Sequence, residues 1–276
     1  VVDIAHARRP AGSEFGPLLQ DWRRRRRLSQ LALASTAGVS TRHLSFVETG
    51  RAKASREMVL HLAEHLDVPL RERNRLLLAA GFAPTFPEST LDAPRMQTVQ
   101  HALAQLLRAH EPYPALVMNR HFELVAANRS VAVLTEGVAD HLLAPPMNVM
   151  RAGLHPEGLA RRVINLGEYS RHLLGTLARA MHNAPDDTLT ELFREISTYP
   201  VAEEHASDGP ADVVLPMRLR GFRPDDGELA LFSTVATFGT PLDITVSELA
   251  IESFFPADPH TEAVLRARHA ELPPES

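Results

Sequence analysis

Apolar residues recur at helical spacing through the first third of the chain. Between Gln30 and Glu48 the recurrence is interrupted once, around Gly38. Leu33, Ala37, Val39, Leu44 and Val47 form one inward set shared by two short helices. Ala34 is small where the two helices would cross, and Gly38 ends the first, where a left-handed residue costs glycine little. Ser40 is placed to cap the second helix through its hydroxyl. The outer face of that helix is left with Thr41, Arg42, Ser45, Phe46 and Thr49. Arginine pairs with guanine, hydroxyls pair with either partner, and an apolar ring meets a thymine methyl, so the face suits a DNA major groove. An ordinary helical hairpin in a core is the rival reading. It leaves the coincidence of small, glycine and apolar positions unexplained.

Further elements follow the same logic. Residues 1–12 carry Pro10 and Gly12 without periodicity and read as a loose arm. A first helix spans Pro17 to Arg27, with Leu18, Leu19 and Trp22 inward. Ser29 caps the next helix, which places Gln30 in its first turn, where an amide and free backbone N–H groups suit a phosphate. Arg51 and Lys53, in the loop after the second helix of the pair, are further phosphate candidates. Ser55 caps a fourth helix holding Met58, Leu62, Ala63 and Leu66, and a fifth runs from Leu70 to Ala80, closed by Gly81. Ala83 to Pro94, with three prolines, cannot be regular helix and reads as a linker.

Beyond the linker the period changes. A helix over Gln97 to His110 buries Val99, Leu103, Leu106 and Leu107. Ala115–Met118 and Phe122–Ala127 make a hairpin around Asn119, and Asn128 opens a small helix through Leu134. Residues 147–196 are helical, with Tyr169, Leu173, Leu177 and Met181 at i,i+4 and a second apolar face at Leu189, Leu192, Phe193 and Ile196. Three strands follow, Val213–Arg220, Glu228–Phe238 and Ile244–Phe255, with a turn at Arg223–Gly227. Val213, Leu215, Met217 and Leu219 alternate, which gives one apolar face to an antiparallel sheet. The tail from Asp258 adds one helix before ending in a polar, proline-bearing stretch, and residues 266–276 are expected to be disordered.

Composition narrows the function. At 276 residues the chain is long for one domain and comfortable for two. It has no cysteine, which excludes disulfides, thiolate catalysis and Cys-based metal sites. No apolar run approaches the ~20 residues of a membrane span, and a cytoplasmic home fits. The net charge of −5 is unevenly placed: residues 1–83 hold 14 Lys and Arg against 8 Asp and Glu, and the remainder 15 against 26. A basic front on an acidic back is the pattern of a DNA-binding head on a body that does not bind DNA. The run Arg23–Arg27 winds about 500° around its helix, so only some of it can reach phosphate, and Asp21 pairs Arg25 at i,i+4.

Enzymatic chemistry finds little support. There is no Gly-rich phosphate loop, no G-x-S-x-G and no nucleophile with recognisable partners. His61-Leu-Ala-Glu64-His65 matches a zinc-peptidase pattern, but Leu62 and Leu66 face inward. His61, Glu64 and His65 are then the wet side of the helix, so no metal ligands are assigned and no cofactor is required.

The stretch from Leu28 to Pro84 resembles the xenobiotic-response-element (XRE) type of helix-turn-helix repressor, similar to the lambda repressor and Cro heads. That implies an all-α, five-helix, lambda-repressor-like DNA-binding domain over residues 13–83, dimeric on a palindromic operator in double-stranded DNA. After the linker, 84–94, the order hairpin, helices, strand meander is that of a PAS-like sensor. NRHFELVAANRSVAVL, NVMRAGLHPEGL and FGTPLDITVSELAIESFFPAD resemble the MmyB-like ligand-binding domain. This implies an α+β PAS-like domain with an antiparallel sheet over 95–265, able to enclose an acyl-like ligand. The family's usual tryptophan near Leu166 is missing, since the one tryptophan here is Trp22.

The expected ligand is an apolar, fatty-acid-like molecule. Val149, Met150, Leu173, Leu177, Met181, Phe193, Leu231 and Phe232 are candidate walls, although each also fits plain core. Arg151, set among apolar neighbours, is the candidate carboxylate anchor, and Asn165 and Tyr169 the hydrogen-bonding groups. The rival for Arg151 is a pair with a surface carboxylate. A body that binds haem or flavin through His172 or His182, or one that serves only for dimerisation, stays open as an alternative.

Overall fold

The computed structural model describes residues 14–184, 186–200 and 214–273. The expected N-terminal arm and Val213 lie outside these residues. Two units emerge: one holds the chain up to Ser89 together with Pro241–Ser247, the other holds Thr90–Thr240 and Glu248–Ser276.

In the first unit three serines start three helices. Ser29, Ser40 and Ser55 each sit in extended backbone and accept from the N–H three residues on, at 3.0, 3.0 and 3.2 Å. The helices are α1 (Phe15–Arg25), α2 (Gln30–Thr36), α3 (Thr41–Glu48), α4 (Arg56–His65) and α5 (Leu70–Ala79). Gly38 stands between α2 and α3 at φ +63°, the left-handed region glycine tolerates. Gly16 in α1 faces the backbone carbonyl of Glu48, and a Cβ there would collide with it. Leu19, Trp22, Leu33, Ala34, Leu44, Val47, Leu62 and Leu77 make the core.

This unit extends past its fifth helix. The Asn74 side chain accepts from Thr85 and Phe86 N–H and donates to Phe86 O. Residues 84–89 are therefore packed rather than linking, because one buried amide satisfies three backbone groups. Pro87 O accepts from Ile244 N–H, and Asp243 Oδ1 accepts from Thr245 N–H at 3.0 Å. Those bonds wind Ile244–Ser247 into a helical turn, so the strand expected from Ile244 begins only at Ala250.

The second unit is built on a five-stranded, wholly antiparallel sheet. Its elements are α6 (Gln97–Ala109), β1 (Ala115–Met118), β2 (Leu124–Ala127), α7 (Val131–Thr135), α8 (Asp140–Leu143), α9 (Val149–Leu154), α10 (Leu166–Asn183), α11 (Asp187–Ile196), β3 (Met217–Arg220), β4 (Glu228–Thr237), β5 (Ala250–Pro256) and α13 (Pro259–Ala270); α12 is the turn Ile244–Ser247 of the first unit. Strand order is β2-β1-β5-β4-β3. Leu116 lies opposite Glu252, which lies opposite Val235, so alternate residues of three strands share one face. On the other face Val117, Leu249 and Ile251 meet Leu103 and Leu107 of α6. Leu106 is half exposed and not part of that seam.

Asn128 is buried and accepts from Ala115 N–H while donating to Leu107 O and Tyr113 O, which ties α6 to the hairpin. β3 is shorter than the alternation suggested and starts at Met217. The expected disordered tail is corrected as well: residues 266–270 complete α13, where Leu265 and Arg268 are buried, and residues 274–276 lie outside the described set. No described helix is long and apolar enough to cross a membrane.

Candidate functional site: a helix-turn-helix face and an apolar cavity

On α3 the buried residues Leu44, Val47 and Glu48 fix which side faces out. Thr41, Ser45 and Thr49 follow one another at i,i+4 along the opposite side. Arg42 lies beside them with its guanidinium 5.3 Å from the Phe46 ring centroid. The Thr49 hydroxyl donates to Ser45 O (2.7 Å), which leaves its lone pairs as acceptors. Ser40 has its oxygen engaged by the cap, and Arg51 and Lys53 are exposed in the following loop.

Glu48 organises this face from behind. It takes two hydrogen bonds from Arg23, at 2.7 and 2.9 Å, and one from Gln30 at 2.8 Å. Burial alone would raise its carboxyl, but the bonds from Arg23 and Gln30 outweigh that and hold it below the usual carboxylate range. Gln30 thereby has a structural role, one N–H of its amide donating to Glu48 and positioning α2 against α3. Glu48 also sorts the arginine run. Arg23 is buried on Glu48, Arg25 pairs Asp21, and Arg26 donates to Leu66 O and Asp67 O. Arg24 and Arg27 are the exposed members.

In the second unit a cavity of about 460 Å³ opens between the sheet and the helices, within the size range of small-molecule sites. The sheet contributes Leu116, Met118, Met217, Ser233, Val235, Glu252 and Phe254. The helical wall contributes Val131, Leu134, Val149, Met150, Leu159, Tyr169 and Leu173. His172, Thr176 and Arg179 of α10 also line it, and His172 and Arg179 are exposed to solvent.

Val149, Met150, Tyr169 and Leu173 are thus the expected wall residues that reach the cavity. Leu177 and Leu231 are buried in the core beneath it, and Met181 and Phe193 pack against that core. Phe232 points to the other side of β4 and stacks on Phe255. Arg151 does not line the cavity: its Nε and Nη2 grip the Glu195 carboxylate at 2.7–2.9 Å, joining α9 to α11. Its charge is already answered, and it is no free anchor. Asn165 is buried against β3, donating to Pro216 O and accepting from Arg218 N–H, so its bonds are spent as well.

Besides Tyr169, two polar groups that face the cavity, Glu252 and Ser233, were missed. Glu252 sits between Leu116 and Val235 across the sheet, and Ser233 donates to it at 2.7 Å. Burial raises the Glu252 carboxyl above the ordinary range, and it raises the Tyr169 hydroxyl too. A single acidic residue in an apolar strand was the available signal.

Three further side chains converge elsewhere: His141, His155 and Glu157 bring ligand-type atoms within 4.8 Å of one another. The Glu157 N–H donates to His155 Nδ1, which engages that nitrogen's lone pair. In α4, His61 and His65 each engage a backbone carbonyl through one ring nitrogen.

A five-helix head with an outward-facing recognition helix, joined to a sheet-and-helix body around a cavity, defines a ligand-responsive, DNA-binding transcription regulator. The family model for the MmyB-like transcription regulator ligand binding domain matches residues 99–267, and one for a helix-turn-helix domain matches residues 14–76. The chain belongs to the MmyB-like transcription regulator family. No curated protein matches it. Among solved structures it is similar to an RNA-binding light-oxygen-voltage receptor, at 15% identity and a TM-score of 0.26. That similarity covers 94% of this chain and 63% of the receptor's length.

Proposed function

We propose that the protein is a homodimeric repressor that binds a palindromic operator and responds to an apolar, fatty-acid-like ligand held in the body, with no cofactor required. The observation that carries this is the cavity itself, lined mainly by carbon and located in the same chain as a recognition helix whose base-reading side is outward. In the head, Thr41, Arg42, Ser45, Phe46 and Thr49 read base edges, while Ser40, Arg51 and Lys53 lie near phosphate.

An acyl carboxylate cannot take Arg151, which Glu195 occupies. The exposed Arg179 on the cavity wall is a cationic position open to it, and the exposed His172 offers a ring nitrogen on the same wall. The test is mass spectrometry of an organic extract of purified protein, followed by operator binding with and without the extracted compound. A repressor of this kind shows an acyl compound in the extract and a change in operator affinity on adding it back. An empty extract together with operator binding indifferent to every acyl compound refutes the reading. An absorption band in the visible would instead favour haem or flavin.

A further inference from the structure

We propose that the cavity selects a ligand whose apolar chain ends in a hydrogen-bond donor, a hydroxyl or an amine, seated against Glu252. The proposal rests on the small-molecule reading above and names the chemistry of that same site.

Glu252 lies on β5, and its cross-strand neighbours on the cavity face are Leu116 and Val235, both apolar. Ser233 Oγ donates to one carboxyl oxygen at 2.7 Å. Among the described residues Glu252 forms no ion pair, whereas Glu48, Glu111 and Glu195 each hold an arginine. Tyr169, also on the wall, brings a hydroxyl whose charged form burial disfavours. With one protein donor on Glu252, further lone pairs of its two oxygens are left facing the cavity. A ligand that fills the cavity displaces the water those lone pairs face, so it must supply a donor of its own or leave them unpaired at a cost.

Ionised, Glu252 repels an anionic head group and attracts a donor, an ammonium most of all. Neutral, its carbonyl oxygen still accepts from a hydroxyl, while its own O–H can donate to a carboxylate. A donor is satisfied in both states and a carboxylate only in the neutral one, so the group favoured against β5 is a donor. Any acid on the same ligand must then lie at another part of the wall, where Arg179 and His172 are exposed. Glu252 is thereby a specificity-determining residue that sets which end of a ligand faces the sheet.

The test compares decanoic acid, its ω-hydroxy derivative and decylamine, titrated calorimetrically into the full chain. Wild type, Glu252→Leu and Glu252→Gln are compared. In wild type the two donor-bearing compounds bind about tenfold more tightly than decanoic acid, the worth of one good hydrogen bond. Glu252→Leu abolishes that preference while still binding decanoic acid. Glu252→Gln, which keeps an acceptor, loses the charge and adds N–H donors that can take a carboxylate, still binds the hydroxyl compound and loses any extra preference for the amine. Equal affinities in wild type, or a preference that survives in Glu252→Leu, would overturn the assignment while leaving the small-molecule reading intact. Failure of all three compounds to bind wild type would count against that reading, and the assignment would fall with it.

Discussion

Arg23 and Glu48 meet in the head with both side chains almost wholly out of solvent. An ion pair this buried contributes little net stability as a pair, but removing one partner strands the other. Glu48→Ala should therefore cost about 3–5 kcal/mol, read from urea unfolding by the fluorescence of Trp22, the chain's single tryptophan and itself in the head core. Because the folded carboxyl is held below its ordinary value of 4.5, its contribution is complete above that value. It is lost as pH falls toward and through the folded one. A Trp22 unfolding midpoint in urea that does not decline in acid would contradict this. At the outer face, Arg42→Ala should lose about 1–3 kcal/mol on the preferred operator and blur preference at one position. Lys53→Ala should weaken binding to every sequence alike and flatten its salt dependence. Identical sequence profiles and salt slopes for the two variants would show that they do not divide the work this way.

Helices α1 and α3 approach each other closely at Gly16, where any Cβ would meet the carbonyl oxygens of Val47 and Glu48. Gly16→Ala has to push the two helices apart, and overpacking of this kind costs about 1–3 kcal/mol. Since α3 is the reading helix, the shift should lower operator affinity by more than the loss of folded protein accounts for, which gel-shift assays at matched folded fraction would reveal. In the body, the Arg151–Glu195 pair joins α9 to α11 across 44 residues of sequence. Both side chains are substantially exposed, so Arg151→Ala should cost at most about 1 kcal/mol and leave affinity for acyl ligands unchanged. A large loss of ligand affinity in that variant would restore Arg151 as an anchor.

At the scale of the whole molecule, one α3 covers only a few base pairs, so useful affinity requires two heads with half-sites about one helical turn apart. Light scattering should give a dimer on operator DNA, and a monomer both free and bound would end the idea. The chain passes between its two units three times, after Ser89, Thr240 and Ser247. β4 and β5 carry Ser233 and Glu252 of the cavity, while Pro241–Ser247, within the segment that joins these strands, belong to the head unit. A ligand that binds only the folded body raises its melting temperature with the logarithm of its concentration over Kd. Replacing Ile244, which is buried in this joining segment, with Ser should preserve that shift and reduce the accompanying change in operator affinity. Equal coupling in wild type and Ile244→Ser would rule out this route.

What the sequence by itself determined is mainly local. The head could be read because caps, the Gly38 turn and the inward apolar set all act within a few residues, and Ser29, Ser40 and Ser55 need only the N–H groups of their own helices. The sheet alternation of the body was legible for the same reason. Tertiary structure decided wherever a side chain's partner lies far along the chain. Gln30 finds a partner in Glu48, and Arg151 turns from ligand to Glu195. Ile244 leaves its expected strand for a bond to Pro87 O, and residues 266–270 are ordered by packing of α13. The cavity belongs to the same class. Its wall is assembled from strands and helices between Leu116 and Phe254. Periodicity shows that a residue faces inward, but only packing shows whether it meets another side chain or an open space.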